Sequence, residues 1–142
     1  MTVRLAVLLE DFLRAQPLGV LFSNDTGFVL SRSPDTVRGP DVALVTKERF
    51  EAVGDVPTHF PGPPDLAIEV LSPDNRAGDV RAKIADYFAA GTRLVWVVDP
   101  ASAEVTVYRT LLSPRVLKAE DFLDAADLLP GFSARVAEFF EI

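Results

Sequence analysis

The sequence predicts one α/β domain built on a mixed β-sheet flanked by helices. Three observations carry this. Residues 65–71 alternate, with Leu66, Ile68 and Val70 on one side and Asp65, Ala67, Glu69 and Leu71 on the other, which is the period of a strand. Residues 94–98, Leu-Val-Trp-Val-Val, show no polar alternation and fit a central strand covered on both faces. Segments 3–15 and 79–90 place apolar residues at helical spacing.

In chain order, Leu5, Val7, Leu8, Phe12 and Leu13 mark the first helix, which Pro17 and Gly19 end. Short strands are expected at 19–23 and 27–31 around the turn Asn24-Asp25-Thr26-Gly27, followed by a loop at Ser33-Pro34-Asp35. Pro40 opens a strand over 41–46. Residues 47–63 read as a helical turn and then a Pro-rich loop with Pro57, Pro61 and Pro63. After the strand at 65–71 comes the loop Ser72-Pro73-Asp74-Asn75, and Gly91 stops the helix at 79–90 as a C′ glycine. Residues 94–109 form a hairpin. Residues 119–129 read as helical, Pro130-Gly131 as a turn, and a short strand or helix finishes the chain.

A chain of 142 residues suits a single domain over 1–142, and one of that size buries about 68% of its unfolded surface. With 49% hydrophobic and 25% charged residues it is neither disordered nor fibrous. Net charge −7, from 21 acidic and 14 basic residues, gives no broad basic footprint for nucleic acid or anionic lipid, so any such contact needs a local patch or a metal. There is no cysteine and only His59, which excludes thiol chemistry, disulfides and Cys- or His-cluster metal sites. No apolar run approaches the roughly 20 residues of a membrane span. The N-terminus lacks a signal-peptide pattern, so the expected location is cytoplasmic.

The chemistry-bearing residues centre on two Pro-Asp dipeptides, Pro40-Asp41 and Pro64-Asp65, each opening a strand. Glu69 lies within the second strand, where a carboxylate is against propensity and needs a partner if buried. Asp65 and Glu69 are about 13 Å apart along an extended strand and cannot share one ion. If the two strands pair antiparallel, Asp41 falls beside Glu69, about 5 Å away across the ladder. Two such carboxylates repel unless one is protonated or a cation neutralises both. An all-oxygen donor set suits Mg²⁺ or Mn²⁺. The alternative is that Asp41 and Asp65 cap strands or turns and Glu69 pairs with an arginine.

Lys83 lies at the margin of the buried stripe Val80, Ile84, Tyr87 and Phe88 and leans toward the sheet; the alternative is a surface pair with Asp79. Arg38, Arg76 and Arg81 have forks suited to phosphate, or are simply solvated. Glu10, on the edge of the first helix, could reach the site or face solvent. His59 is expected in solvent, and Trp96 and Phe88 in the core. No glycine-rich phosphate loop is present.

Arg38-Gly39-Pro40-Asp41-Val42, Pro64-Asp65-Leu66-Ala67-Ile68-Glu69-Val70-Leu71-Ser72-Pro73, then Asp79, Lys83 and Tyr87 before Gly91, Trp96-Val97-Val98-Asp99-Pro100, Val107-Tyr108-Arg109 and Leu129-Pro130-Gly131-Phe132 form a series. It resembles, from about residue 18 onward, the Uma-two family of restriction-endonuclease-like proteins in the PD-(D/E)XK nuclease superfamily. The resemblance implies a restriction-endonuclease-like fold and Mg²⁺-dependent phosphodiester hydrolysis. It implies Asp41, Glu69 and the Val70 carbonyl as metal ligands, Lys83 as the assisting lysine, and DNA as the substrate to expect. The superfamily's lysine usually stands two residues after the glutamate, which here is Leu71, and Lys83 from the following helix takes its place. Glu10, Asp65, Arg76 and Tyr87 are accessory candidates. Family members usually begin with a further strand and a Gly-Glu turn. A chain short of that segment would leave a sheet edge for a second subunit to cover, so a homodimer is expected as one arrangement. Two other functional classes stay open: a catalytically inactive nuclease-fold module for binding or assembly, and a hydrolase of a small phosphorylated substrate.

Overall fold

A computed structural model describes residues 2–141. Its centre is a six-stranded mixed sheet in the order β1-β4-β6-β7-β8-β9. These strands are β1 (Gly19–Ser23), β4 (Val42–Thr46), β6 (Leu66–Val70), β7 (Leu94–Asp99), β8 (Glu104–Tyr108) and β9 (Pro114–Leu117). Within this sheet only β6 and β7 pair in parallel, and the chain between them includes α3 (Ala77–Ala90), the crossover that a parallel pair requires. Gly91 ends α3 in the left-handed conformation, φ 113°, its N–H bonding back to the carbonyls of Tyr87 and Phe88. As expected, β7 and β8 form an antiparallel hairpin.

Strand alternation sends the two sheet faces to different cores. Val42, Leu44, Leu66, Ile68 and Trp96 meet Leu5, Leu9 and Leu13 of α1 (Thr2–Ala15) on one face. The same face takes Phe132 of β11 (Leu129–Arg135) and Phe139 of the closing 3₁₀ helix (Val136–Phe140). On the other face Ala67, Val95 and Val97 pack under Ile84 and Tyr87 of α3. Beside them Ala43 and Val45 pack under Phe28 and Phe60. Those two rings, 5.6 Å apart between centroids, belong to a small sheet of β2 (Gly27–Ser31), β3 (Thr36–Arg38) and β5 (His59–Pro61). Trp96 is fully buried, and His59 is exposed, both as expected; Phe88 is only partly buried.

Several stretches differ from the sequence reading. The helix expected over 119–129 is absent; β10 (Phe122–Ala125) pairs antiparallel with β11 instead. Leu123 and Ala125 are buried while Phe122 and Asp124 are exposed, so period two prevails over the local helix propensity. Pro130-Gly131 is not a separate turn but part of β11, close to the irregularity in the β10–β11 register. The strand β5 lies within what reads as a Pro-rich loop, β3 occupies residues to which the sequence assigns no element, and β9 extends the sheet beyond the hairpin. The helical turn at 47 is α2 (Lys47–Val53).

Candidate active site

The register of β4 on β6 pairs Val42 with Ile68 and Ala43 with Ala67. One step beyond Val42 and Ile68 stand Asp41 and Glu69. Since Val42 and Ile68 face α1, their neighbours Asp41 and Glu69 face the α3 side together. Asp41 Oδ2 accepts the Val70 N–H at 2.7 Å, so the Pro40-Asp41 corner is tied to β6 just past Glu69.

Glu69 is 7% exposed. Its Oε2 accepts the Tyr87 O–H at 2.7 Å, and its Oε1 lies 3.7 Å from Lys83 Nζ. Lys83 and Tyr87 are one helical turn apart, so a single face of α3 delivers both groups. Burial pushes the Glu69 carboxyl above the usual carboxylate range and the Asp41 charge adds to this; the Tyr87 hydrogen bond and the Lys83 charge oppose it. Burial, and then the Glu69 charge, push the Tyr87 phenol well up, which keeps it a neutral donor. A cavity of about 250 Å³ opens over these groups, lined by Gly39, Asp41, Glu69, Val70, Asn75 and Lys83 among others. Lys83 therefore turns to Glu69; no ion pair with Asp79 forms among the described residues.

The remaining candidates are placed elsewhere. Asp65 sits at the opposite end of β6, where its Oδ2 accepts the Thr46 N–H at 2.8 Å and pairs with Arg49 at 3.1 Å. It anchors the start of α2 rather than joining the cavity. Glu10 is exposed on α1, whose packing is against the other sheet face, so the structure does not bring it to Glu69. Arg76 is exposed at the N-cap of α3 and borders a neighbouring groove. Arg38 is not free for a phosphate: its Nε and Nη2 donate to Asp86 Oδ2 at 3.1 and 2.8 Å, fastening β3 to α3 beside the cavity.

Two contributors escaped the sequence reading. The Arg38–Asp86 pair joins positions distant in sequence, and nothing local marks it. Asn75 lines the cavity and its Oδ1 accepts the Ser72 N–H at 2.6 Å, holding the loop that follows β6. The Ser-Pro-Asp-Asn string signals such a side-chain-closed turn.

Among the described residues, no group of three or more His, Cys, Asp or Glu side chains converges on one point. Two carboxylates and nearby backbone remain, and that set fits Mg²⁺ or Mn²⁺: such ions keep several waters and need only one or two protein carboxylates. The mutual repulsion of Asp41 and Glu69, one of them buried, is what a divalent cation would relieve.

A mixed sheet with a crossover helix, paired carboxylates at the end of two central strands and a lysine directed at them define a nuclease-like fold. The chain belongs to the Uma2 family, described as a putative restriction endonuclease, whose match spans residues 1–137. The match includes α1, ahead of the motifs that carry the resemblance. The chain is also similar to the crystal structure of a putative nuclease belonging to DUF820 from Anabaena variabilis ATCC 29413. The TM-score is 0.82 at 22% identity, over 98% of this chain and 77% of that one. That likeness bears on the fold. No curated protein matches the chain. Among the described residues no helix is long and apolar enough to cross a membrane.

Proposed function

We propose that the protein is a Mg²⁺- or Mn²⁺-dependent nuclease that hydrolyses phosphodiester bonds at the Asp41–Glu69–Lys83 cavity. The observation that carries this reading is the Lys83 ammonium 3.7 Å from Glu69 Oε1, on the wall of the cavity that Asp41 also lines. Asp41, Glu69 and the Val70 carbonyl would hold the ion. When bound, the ion neutralises the carboxylates, polarises a phosphoryl oxygen and lowers the pKa of a bound water.

The protein's own groups supply the rest. The Tyr87 hydroxyl holds Glu69 Oε2 and fixes the carboxylate in one rotamer, with Oε1 turned toward Lys83. Val70 N–H holds Asp41 in the same way. Lys83 orients the attacking water and donates to the charge that develops on the phosphate, in a pocket whose walls are already in place. Arg38 and Asp86 keep the Gly39-Pro40-Asp41 corner against α3.

The test is cleavage of plasmid and of single-stranded DNA with Mg²⁺ or Mn²⁺, comparing wild type with Glu69→Ala. Wild type should cleave and the variant should not; equal activity in both would sink the assignment. The net charge of −7 favours a second reading, hydrolysis of a small phosphorylated substrate. A metal-dependent release of phosphate from a small phosphoester, with no cleavage of either DNA, would select it.

A further inference from the structure

The α3 face of the sheet is only partly covered. The small sheet packs over Ala43 and Val45, and α3 over Ala67, Val95 and Val97. Strands lie about 4.8 Å apart and a helix is about 10 Å across, so one helix cannot also cover β8. A groove of about 1030 Å³ results, between the first turns of α3, the 71–75 loop and the outward residues of β7 and β8. This is at the upper end of the roughly 300–1,000 Å³ of small-molecule sites. Leu71, Val80, Val97 and Tyr108 give it an apolar floor.

Three properties define what would fit. The groove and the catalytic cavity share Val70, Leu71, Ser72, Asn75 and Val80 as common walls, so a chain passing one enters the other. Arg76 and Arg81, both exposed, stand at its rim, and neither forms an ion pair among the described residues; the one carboxylate there, Asp99, accepts the Ala101 N–H at 3.0 Å. The surface as a whole is acidic, which opposes the long row of phosphate contacts a duplex makes. An apolar floor with two cations at the edge matches a base and its flanking phosphates, and base stacking needs the base unpaired.

We propose that this groove seats an unpaired nucleotide of a single-stranded nucleic acid, its base on the apolar floor and its phosphates on Arg76 and Arg81. This rests on the nuclease reading, whose substrate class it narrows to single strands or unpaired ends. The groove then selects the strand that Asp41, Glu69 and Lys83 act on.

The test is fluorescence anisotropy of a labelled decathymidylate and of a labelled ten-base-pair duplex, in Ca²⁺ at fixed concentration. Wild type should bind the single strand at least tenfold more tightly than the duplex. Arg76→Ala/Arg81→Ala should weaken single-strand binding at least tenfold. It should also make the log-affinity against log-salt slope shallower by about 1.4, since each phosphate contact on a single strand contributes roughly 0.7. Ala101→Trp, which fills the groove from an exposed turn, should weaken binding at least tenfold with an unchanged unfolding midpoint. Equal binding of the duplex, no binding of the single strand, or unaltered binding in the variants would overturn the proposal. So would an Ala101→Trp effect confined to oligomeric state, which would give the groove to a second copy. Binding that depends on the groove without any cleavage would retain the groove and reject the nuclease reading; groove-independent cleavage would do the reverse.

Discussion

Lys83 Nζ on α3 stands 3.7 Å from Glu69 Oε1 on β6, while Tyr87, one turn further along the same helix, holds the other oxygen of that carboxylate. One buried acid is thus gripped by two groups from a single helical face. Its properties should respond to each group separately.

Lys83→Met removes the ammonium and keeps most of the side-chain volume. The nuclease reading predicts a fall in cleavage rate of about 10²-fold or more, the scale of losing one charge-stabilising donor. The unfolding midpoint should move little, because Lys83 is half-buried and its ion pair is partly solvated. Rates and thermal melts on the same preparation check both halves.

Tyr87→Phe keeps the ring in the core and deletes the hydroxyl that Glu69 accepts from. Leaving a buried acceptor without its donor costs about 1–3 kcal/mol. Chemical denaturation of Tyr87→Phe, Glu69→Met and the double variant should give a non-zero coupling energy, since each single variant removes the hydrogen bond; simple additivity would mean that the bond contributes nothing.

The raised Glu69 pKa sets a direction for pH in the metal-free protein. Above the ordinary carboxylate value the unfolded chain has lost this proton while the folded chain still holds it. In that window the native state binds more protons, so the Glu69 contribution to stability falls as pH rises. Below the ordinary value both states are protonated and no penalty exists. Glu69→Gln should therefore gain on wild type as pH rises above about 4 in chelator. A difference that is flat with pH would contradict a carboxyl shifted by burial.

Mg²⁺ should stabilise wild type by mass action, about 2.7 kcal/mol at 100-fold excess over its dissociation constant. Asp41→Asn and Glu69→Gln should abolish the effect, and chelation should reverse it in wild type. Thermal melts across a Mg²⁺ titration read this directly, without any nucleic acid present.

Asp65 offers a contrast on the same strand. Its carboxylate is 4% exposed and holds Thr46 N–H and Arg49. Asp65→Ala should cost about 1–3 kcal/mol of stability through those orphaned partners. Below its melting temperature the variant should cleave at the wild-type rate. A large loss of rate in folded Asp65→Ala would place Asp65 in the chemistry after all.

The pairing of Asp41 with Glu69 was legible because two short periodic strands in antiparallel register leave Asp41, not Asp65, as the carboxylate beside Glu69. Lys83 was legible because helical geometry puts it beside Tyr87 on the rim of an apolar stripe. Glu10 stays open between the site and solvent in the sequence because α1 reads the same whichever face of the sheet it covers; packing decides, and it covers the other one. Residues 122–125 misled because Leu and Ala favour helix locally, whereas pairing with β11 is a non-local gain that a short window does not register. The strands β3 and β5 are three residues each, too short for any period to emerge, and β5 pairs in parallel with a distant β2. The Arg38–Asp86 contact is likewise purely tertiary.

The odd-numbered positions of β6 face α3 and carry Glu69, while Leu66 and Ile68 fill the core under α1. A single-residue deletion within 66–68 would exchange these faces and turn the carboxylate into the apolar layer beside Trp96. The site and the hydrophobic core thus share one reading frame in space. Length changes in β6 are intolerable to both at once.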